Sequence, residues 1–157
     1  MEKNKSYVHS TQENGQHYII EDQWKRKYHS KIASFFAPTG LAFEAIEVKS
    51  DDSSAYYKFD QLFDLETDPE IAEQIFIKKI KKGLNQRHLK KTGSEWEIGE
   101  RDMLRGRIEW NEDFSDTNFD RVFVIDGKRI TIEELGHMLE PFEGFNFVFK
   151  LKDSYDD

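Results

Sequence analysis

The sequence predicts an α+β domain with a mainly antiparallel sheet, in the order β-β-β-α-β-β-β-α-β and with two helices packed on one face. Three observations lead to this class. Short apolar runs follow one another across tight turns, and such connections favour antiparallel neighbours. Only two segments combine helical periodicity with capping residues. The regular alternation of strand and helix that a doubly wound parallel sheet needs is missing.

The first part of the chain predicts three strands. Residues 1–17 are polar and are predicted to form a flexible tail. The next apolar residues, Ile20, Trp24, Tyr28 and Ile32, recur every four residues as on a helix face, so a short helix before the strand at 31–37 is one alternative. Apolar runs bounded by turn residues predict the strands themselves. They lie at about 31–37, 41–48 and 55–63.

A helix is predicted after the third strand. The run Thr67-Asp68-Pro69-Glu70 supplies an N-cap candidate, a proline for the first turn and an acid near the positive end of the helix dipole. Gly83 is a plausible terminator. The residues predicted to form its buried side recur at helical spacing and are Ile71, Ala72, Ile75, Phe76 and Ile80. Two further segments predict strands, a short one at 96–98 and one at 103–110, where Gly106 suggests a bulge or a close approach.

In the C-terminal block the local sequence signals predict successive elements most clearly. Residues 122–125 and 128–130 predict two strands, because Asp126-Gly127 between them suits a type I′ turn. Thr131 and Glu134 form a capping box, and the helix that they begin should end near Leu139 or Glu140, before Pro141. Apolar and polar residues then alternate over 145–151, which predicts a final strand with one face on the core. The apolar positions are Phe145, Phe147, Phe149 and Leu151.

Length and composition bound the remaining possibilities. A chain of 157 residues favours one domain, predicted here at 18–152 with an acidic tail at 153–157. The absence of cysteine excludes disulfides, cysteine zinc sites and thiol catalysis and suits a cytoplasmic protein. No apolar run approaches the roughly 20 residues that span a bilayer. The net charge of −8 argues against a general nucleic-acid-binding surface.

Four blocks of the sequence carry a resemblance. They are, in order, PTGLAFEAIEV, KKIKKGL, RGRIEW and IDGKRITIEELGHMLEPFEGFNFVFKL. Together they resemble an uncharacterised family of bacterial and phage domains of unknown function, over roughly residues 31–152. The most specific part is the pattern I-D-G-K-x-x-[ST]-x-E-E-[FL]-G followed by E-G-[FW]. The resemblance implies a bacterial or phage origin and a cytoplasmic setting, and it brings no activity, cofactor or catalytic residue.

A basic cluster between residues 78 and 91 is the first candidate site. It contains no acid, and its members are Lys78, Lys79, Lys81, Lys82, Arg87, His88, Lys90 and Lys91. Without its seven lysines and arginines the chain has 16 basic and 31 acidic residues, a net charge of −15. The cluster is therefore predicted to bind a polyanion or an acidic partner surface. The alternative is a solvated helix end, where lysines favour the negative end of the dipole.

The tripeptide Glu47-Val48-Lys49 is the second candidate. Metal-dependent nucleases of the restriction-enzyme type use a strand that carries E-x-K, together with an aspartate earlier in the sequence. The carboxylates hold Mg²⁺, and the lysine helps to orient the attacking water. Strand alternation puts Glu47 and Lys49 on one face, and Asp22 is the upstream aspartate. The motif is short and common, so an ordinary charged strand end is the alternative interpretation.

Acidic residues suggest two further hypotheses. Five carboxylates surround one loop and offer oxygen ligands to a divalent cation, although their spacing matches no EF-hand; they are Glu109, Glu112, Asp113, Asp116 and Asp120. The net charge also suggests an acidic protein that imitates DNA. The five histidines have no metal-ligand spacing, so no metal site and no cofactor is predicted.

The sequence therefore predicts an interaction or regulatory module without enzymatic activity. Its expected partner is another protein, or a polyanion at the basic cluster, and no membrane association is expected. The runner-up functions are the magnesium-dependent nuclease with Glu47, Lys49 and Asp22 and the DNA-mimic inhibitor.

Overall fold

The computed structural model describes residues 15–50, 55–111 and 120–155. Within them the strands are β1 Gln16–Glu21, β2 Lys27–Ala37, β3 Gly40–Glu47, β4 Lys58–Phe63, β5 Leu89–Thr92, β6 Glu95–Ile98, β7 Arg107–Trp110, β8 Arg121–Ile125 and β9 Lys128–Ile130. The helices are α1 Pro69–Leu84 and α2 Ile132–Met138, followed by a 3₁₀ turn at Glu140–Phe142. All strand pairs are antiparallel. The predicted α+β class with antiparallel sheets is confirmed.

The described chain divides into two compact units. Unit 1 consists of the described residues within Met1–Asp52, Lys58–Asn85 and Leu151–Asp157, and unit 2 of those within Ser53–Tyr57 and Gln86–Lys150. The single domain that the sequence predicts over 18–152 spans residues of both units. Strand β1 already begins at Gln16, before residue 18.

Unit 1 contains a four-stranded sheet in the order β1-β2-β3-β4. The predicted strands at 31–37 and 41–48 are present, and the first extends back to Lys27. The helix considered within 18–30 is wrong, since β1 and β2 form a hairpin there. Ile20 pairs with Tyr28 across a turn that contains Trp24. Ile20 and Tyr28 therefore share a sheet face, and each is four residues from Trp24 in the sequence. A hairpin can therefore imitate the spacing of a helix.

Helix α1 covers one face of this sheet, and its start is as predicted. The Asp68 carboxylate accepts hydrogen bonds from the amides of Glu70 at 2.8 Å and Ile71 at 3.4 Å, and Pro69 opens the first turn. Phe76 is fully buried, with its ring 5.5 Å from that of Phe43 on β3. The helix continues through Gly83 to Leu84.

The predicted buried side of α1 is wrong at two positions. Ile71 and Ile75 are exposed, whereas the buried residues are Ala72, Phe76, Ile80 and Leu84. These four residues recur at spacings of four and form a narrower stripe than predicted. Ile71 precedes Ala72 and Ile75 precedes Phe76. In each of these apolar pairs the first residue points away from the sheet.

Unit 2 contains the β5-β6 hairpin and a three-stranded sheet in the order β7-β8-β9. Its core is formed by Leu89, Ile98, Ile125, Ile130 and Met138. The predicted short strand at 96–98 lies in β6, and of the strand predicted at 103–110 only Arg107–Trp110 is extended. Similarly, the strand predicted at 55–63 begins at Lys58. Helix α2 contacts β6 and β8, whereas α1 contacts β3 and β4, so the two helices cover different sheets.

The turn and the cap of the C-terminal block are confirmed. Asp126 has φ +52° and Gly127 has φ +69°, as a type I′ turn requires. The Thr131 hydroxyl accepts a hydrogen bond from the Glu134 amide at 3.1 Å and lies 3.1 Å from the Glu134 carboxylate. Leu139 is the C-cap of α2.

The predicted final strand is wrong. Residues 145–151 form no strand, and all of their side chains are exposed. Alternation of apolar and polar residues shows which side chains would share a face, but it does not supply a neighbouring strand to satisfy the backbone. None of the helices in the described residues is long and apolar enough to cross a membrane.

Candidate functional site

The C-terminal apolar segment (residues 145–151) is the most unusual surface of the described chain. Phe147 is 88% exposed and Val148 is 94% exposed. The remaining apolar side chains of the segment are each about two-thirds exposed, and they are Phe145, Phe149 and Leu151. Monomeric soluble proteins rarely expose so many contiguous apolar groups without a binding role.

The backbone of this segment also lacks hydrogen-bond partners among the described residues. In the described part of the chain, no residue makes a hydrogen bond with the main chain of residues 146–151. Its start is fixed, because the Phe145 amide donates to the Phe142 carbonyl at 2.9 Å and the two rings meet edge to face at 5.3 Å. Gly144 makes the preceding turn with φ +87°, a conformation that favours glycine. Phe145 is therefore anchored within unit 2, whereas Leu151 belongs to unit 1.

The β7 edge (Ile108 and Trp110 on strand β7) is a second apolar surface. Strand β7 pairs with β8 and has no other strand beside it in the described residues. Ile108 lies opposite Phe123, and Phe123 lies opposite the fully buried Ile130, so Ile108 belongs to the core face of the sheet. Yet Ile108 is 50% exposed and Trp110 is 53% exposed. The core face is thus incompletely covered at this edge.

Polar contacts hold the β7 edge in place. The Arg121 guanidinium lies over the Trp110 ring, 4.9 Å from its centroid. Arg107 bonds to Glu109 at 2.5 Å and to the Tyr56 carbonyl, also at 2.5 Å. A Cβ atom at Gly106 would overlap the Val124 carbonyl oxygen, so the predicted close approach at this glycine is confirmed. The sequence predicted the strand, but it gave no signal that its apolar residues would remain exposed.

The predicted basic cluster is divided between the two units. Lys78, Lys81 and Lys82, here called the α1 lysines, are exposed near the C-terminal end of α1. Among the described residues, no carboxylate lies within ion-pair distance of them. Lys79 is half-buried, and its Nζ donates to the Asp60 carbonyl at 2.7 Å.

The members of the cluster in unit 2 have other partners. The Arg87 guanidinium lies 3.3 Å from the Tyr57 hydroxyl. Lys90 lies 3.9 Å from Glu97, and Lys91 lies 5.5 Å from the centroid of the Trp96 ring. His88 faces Asp126, with its Nδ1 3.1 Å from the carboxylate and its side chain only 10% exposed. The α1 lysines are therefore the part of the cluster that is best exposed to a partner.

Of the three predicted nuclease residues, Glu47 pairs with Ser30 on β2, and Ser30 pairs with Tyr18 on β1, four residues before Asp22. Glu47 ends β3, and its carboxylate is 4.0 Å from Lys49 Nζ. Asp22 follows β1 and is buried. Its carboxylate accepts hydrogen bonds from the amides of Trp24 and Arg26 and from the Tyr28 hydroxyl at 3.3 Å. Asp22 thus stabilises the β1–β2 turn, and both of its carboxylate oxygens already accept hydrogen bonds there.

Metal-binding groups are sparse in the described residues. No group of three or more histidine, cysteine or acidic side chains there has the geometry of a metal site. Of the predicted acidic loop, Glu109 bonds to Arg107 and Asp120 bonds to Arg121 at 3.2 Å. Three members lie outside the described residues, namely Glu112, Asp113 and Asp116.

Two histidines that the sequence did not connect lie close together. Nδ1 of His17 on β1 is 2.6 Å from Nε2 of His29 on β2. They flank the β1–β2 turn, so recognition of that hairpin would have predicted their proximity. In unit 2, exposed His137 lies 2.9 Å from Glu140, and this carboxylate raises the pKa of His137.

A buried carboxylate ties strand β5 to the β8–β9 turn. Asp126 accepts hydrogen bonds from the amides of His88 and Leu89, both at 2.8 Å, in addition to its contact with the His88 ring. Burial alone would raise the pKa of Asp126, but these hydrogen bonds outweigh it and lower the pKa. The sequence predicted Asp126 as a turn residue and missed this second role.

Two protein-family models match the chain in succession. Residues 13–85 match a domain of unknown function (DUF7686), and residues 86–156 match another (DUF7713). The two matches meet between Asn85 and Gln86, where unit 1 gives way to unit 2. The resemblance to uncharacterised domains is confirmed, with two models in place of one family. Comparison with curated proteins and with solved structures finds no match.

Proposed function

We propose that this chain is an interaction module that binds another protein through its C-terminal apolar segment and has no enzymatic activity. The observation that carries the proposal is the combination of Phe147 and Val148 at 88% and 94% exposure with a main chain that has no hydrogen-bond partner in the described residues. Binding of a partner to this surface is favourable because it buries the apolar side chains and supplies hydrogen bonds to the backbone groups.

The form of the segment favours a protein partner over a small ligand or a lipid surface. Its apolar residues alternate, so a strand conformation would place three phenylalanines on one face. Addition of an extended segment to the edge of a sheet satisfies the backbone and supplies pockets for alternate side chains. A lipid surface would leave the backbone groups without partners.

Site-specific photo-crosslinking tests this function. The full chain would carry a photoreactive amino acid at Phe147 in its native host, and the control would carry it at Leu65, which is also an exposed apolar residue. We expect protein adducts of discrete mass at position 147 and none at position 65. If position 147 gives no adduct, or if both positions give the same adducts, the proposed function is wrong.

The origin and cellular location of the protein are part of the same proposal. The resemblance stated from the sequence implies a bacterial or phage origin and a cytoplasmic location, and a regulatory role for the module is consistent with that setting. The bonds of Asp22 within its own turn disfavour the nuclease alternative. Incubation of plasmid DNA and Mg²⁺ with the wild type and with Glu47→Ala tests that alternative, which requires cleavage by the wild type alone.

The α1 lysines support a second binding function, directed at a polyanion. They are exposed, they have no acidic neighbour within ion-pair distance in the described residues, and they stand in a chain of net charge −8. Clustered lysines bind polyanions with a strong dependence on salt. The remaining members of the predicted cluster belong to unit 2 and are not part of this proposed site.

Heparin chromatography tests the polyanion function. We expect Lys78→Glu, Lys81→Glu and Lys82→Glu in combination to elute at a lower salt concentration than the wild type. The control combines Lys25→Glu, Lys27→Glu and Lys152→Glu, three exposed lysines elsewhere, and changes the net charge equally. Equal elution of the two variants would show that net charge alone governs retention and would contradict the proposal.

A further inference from the structure

We propose that His17 and His29 together bind a divalent transition-metal ion of the class that prefers nitrogen ligands, namely Cu²⁺, Ni²⁺ or Zn²⁺. Nδ1 of His17 on β1 lies 2.6 Å from Nε2 of His29 on β2. Imidazole nitrogens are ligands that these ions favour, and here two of them converge. The pair lies wholly within unit 1 and shares no residue with the C-terminal apolar segment or the α1 lysines.

The register of the β1–β2 hairpin brings the two rings together. His29 pairs with Ile19, two residues after His17, so the histidines are diagonal neighbours on one face of the sheet and within reach of each other. The opposite face of the hairpin is buried through Ile20 and Tyr28. Because a slip of one residue would exchange the two faces, burial of that face holds the histidine pair in position.

Both rings are accessible to an ion. His17 is exposed and His29 is half-buried. Their mutual contact is the one hydrogen bond that either side chain makes within the described residues. A neutral imidazole carries its proton on either nitrogen. The ring that donates in this contact can therefore move its proton to its other nitrogen, and both lone pairs then face the ion.

The separation of the two nitrogens is close to that of a chelating pair. Metal–nitrogen bonds of about 2.0–2.1 Å at angles of about 90–109° place two ligand nitrogens roughly 2.8–3.4 Å apart. The pair is at 2.6 Å, so a separation of less than about 1 Å is needed. Small side-chain rotations of the exposed His17 ring supply it without a change in the backbone. Since no group of three or more such ligands occurs in the described residues, water would complete the coordination.

The basic residue opposite His17 is directed away from the pair. Lys31 pairs with His17, and its aliphatic stem lies against Gly15, where an added Cβ would overlap it. Gly15 precedes His17 in the chain, on the side away from His29. The positive charge that would oppose binding of a cation is therefore turned from the two imidazoles.

A bound ion would join β1 to β2 and thereby stabilise unit 1. An ion that binds the folded chain more tightly than the unfolded chain raises the free energy of unfolding as its concentration exceeds the Kd. The carboxylate of Asp22 already fixes the turn between these strands. The ion would act on the same hairpin, farther from the turn, and thermal unfolding therefore reports binding without any assay of activity.

Isothermal titration calorimetry of the full chain with Cu²⁺, Ni²⁺ or Zn²⁺, one at a time at neutral pH, tests the proposal. We expect one tight site per chain, with a higher affinity for Cu²⁺ than for Ni²⁺ or Zn²⁺ and no tight binding of Mg²⁺, which prefers oxygen ligands. His17→Gln and His29→Gln should each weaken Cu²⁺ binding by about tenfold or more, since loss of even an outer-shell group costs roughly 10–100-fold. The double variant should lose little more, because neither ring alone chelates the ion.

His137→Gln is the matched control. His137 is an exposed histidine beside a single carboxylate and lies in unit 2, so this variant should bind Cu²⁺ as the wild type does. Zn²⁺ should raise the thermal unfolding midpoint of the wild type and of the control, but not that of His17→Gln. NMR of the wild type provides a test without substitutions, since Zn²⁺ should shift the imidazole resonances of His17 and His29 before those of His137.

Three outcomes would overturn the proposal. They are a wild type that binds Cu²⁺ no more tightly than the double variant, a control that is weakened as much as His17→Gln, and Zn²⁺ shifts that begin at other histidines. In each case the contact between His17 and His29 would be a hydrogen bond between strands and no metal site.

Discussion

Tyr18 on β1 donates a hydrogen bond from its hydroxyl to the carboxylate of Glu73 on α1. This bond links the edge strand of the unit 1 sheet to the helix that covers it. The hydrogen bond, with burial and the negative charge of Glu73, raises the pKa of Tyr18 to about 12. Because the folded pKa exceeds the unfolded value of about 10, the stabilisation is fully present below pH 10 and is lost as the pH rises through 12.

The substitution Glu73→Gln should lower the pKa of Tyr18 from about 12 towards the ordinary value near 10, because it removes both the charge and the acceptor carboxylate. NMR titration with ring-labelled tyrosine measures the midpoint, and Tyr18→Phe identifies the resonance. The control Glu70→Gln removes an exposed acid from the first turn of the same helix and should leave the midpoint unchanged. An equal shift in both variants would show that the bond to Glu73 does not set the pKa.

The buried carboxylate of Asp126 predicts a stability effect in unit 2. Asp126→Ala leaves the amides of His88 and Leu89 without their acceptor, so we expect a loss of about 3 kcal/mol in the free energy of unfolding. Asparagine at position 126 tolerates the positive φ and retains one acceptor oxygen. Asp126→Asn should therefore lower the free energy of unfolding by less than Asp126→Ala does. Denaturant unfolding measures both. A loss in Asp126→Asn as large as in Asp126→Ala would contradict this account of the hydrogen bonds.

The same carboxylate predicts how unit 2 responds to acid. The folded state lowers the pKa of Asp126, so its contribution is present above the unfolded value of about 3.9 and is lost as the pH falls towards the folded pKa. We expect unfolding of the wild type below pH 4 to depend more steeply on pH than that of Asp126→Asn. Circular dichroism along an acid titration compares them, and parallel curves would exclude a role for this group.

The local chemistry of the fold was predictable from the sequence because it depends on neighbouring residues. The Asp68 cap, the Asp126-Gly127 turn and the Thr131 cap each act within a few positions of the chain. The exposure of Phe147 and of Ile108 depends instead on which strands pair, and that choice is made by the whole chain. The candidate site consists of such exposed surfaces, so sequence patterns suggested a core where the structure has exposed apolar side chains.

The two units predict the course of unfolding. Both the division into compact units and the division into family matches have a boundary between residues 85 and 86. We therefore expect two unfolding transitions in differential scanning calorimetry. Phe76→Leu should shift only the transition of unit 1, and Ile130→Val only that of unit 2, because both side chains are fully buried in their own units. A single transition that both variants shift equally would favour the single domain predicted over residues 18–152.

Two helical glycines predict opposite effects of the same substitution. Alanine is favoured over glycine inside a helix by roughly 0.5–1 kcal/mol. At Gly136 on α2, apart from its chain neighbours and the backbone of its own helix, no atom of the described residues lies within 4 Å of the position of a new Cβ, so Gly136→Ala should stabilise unit 2 by about that amount. At Gly83 on α1 the new Cβ would overlap the ring of Phe59, and overpacking of this kind costs about 1–3 kcal/mol.

Gly83→Ala should therefore destabilise unit 1, although it improves helix propensity. Denaturant unfolding measures the two alanine variants side by side. The double variant Gly83→Ala/Phe59→Leu removes the ring atoms, so within a Phe59→Leu background the alanine should cost less or become favourable. If Gly83→Ala stabilised the protein as much as Gly136→Ala, the close packing of α1 against β4 at this glycine would be wrong.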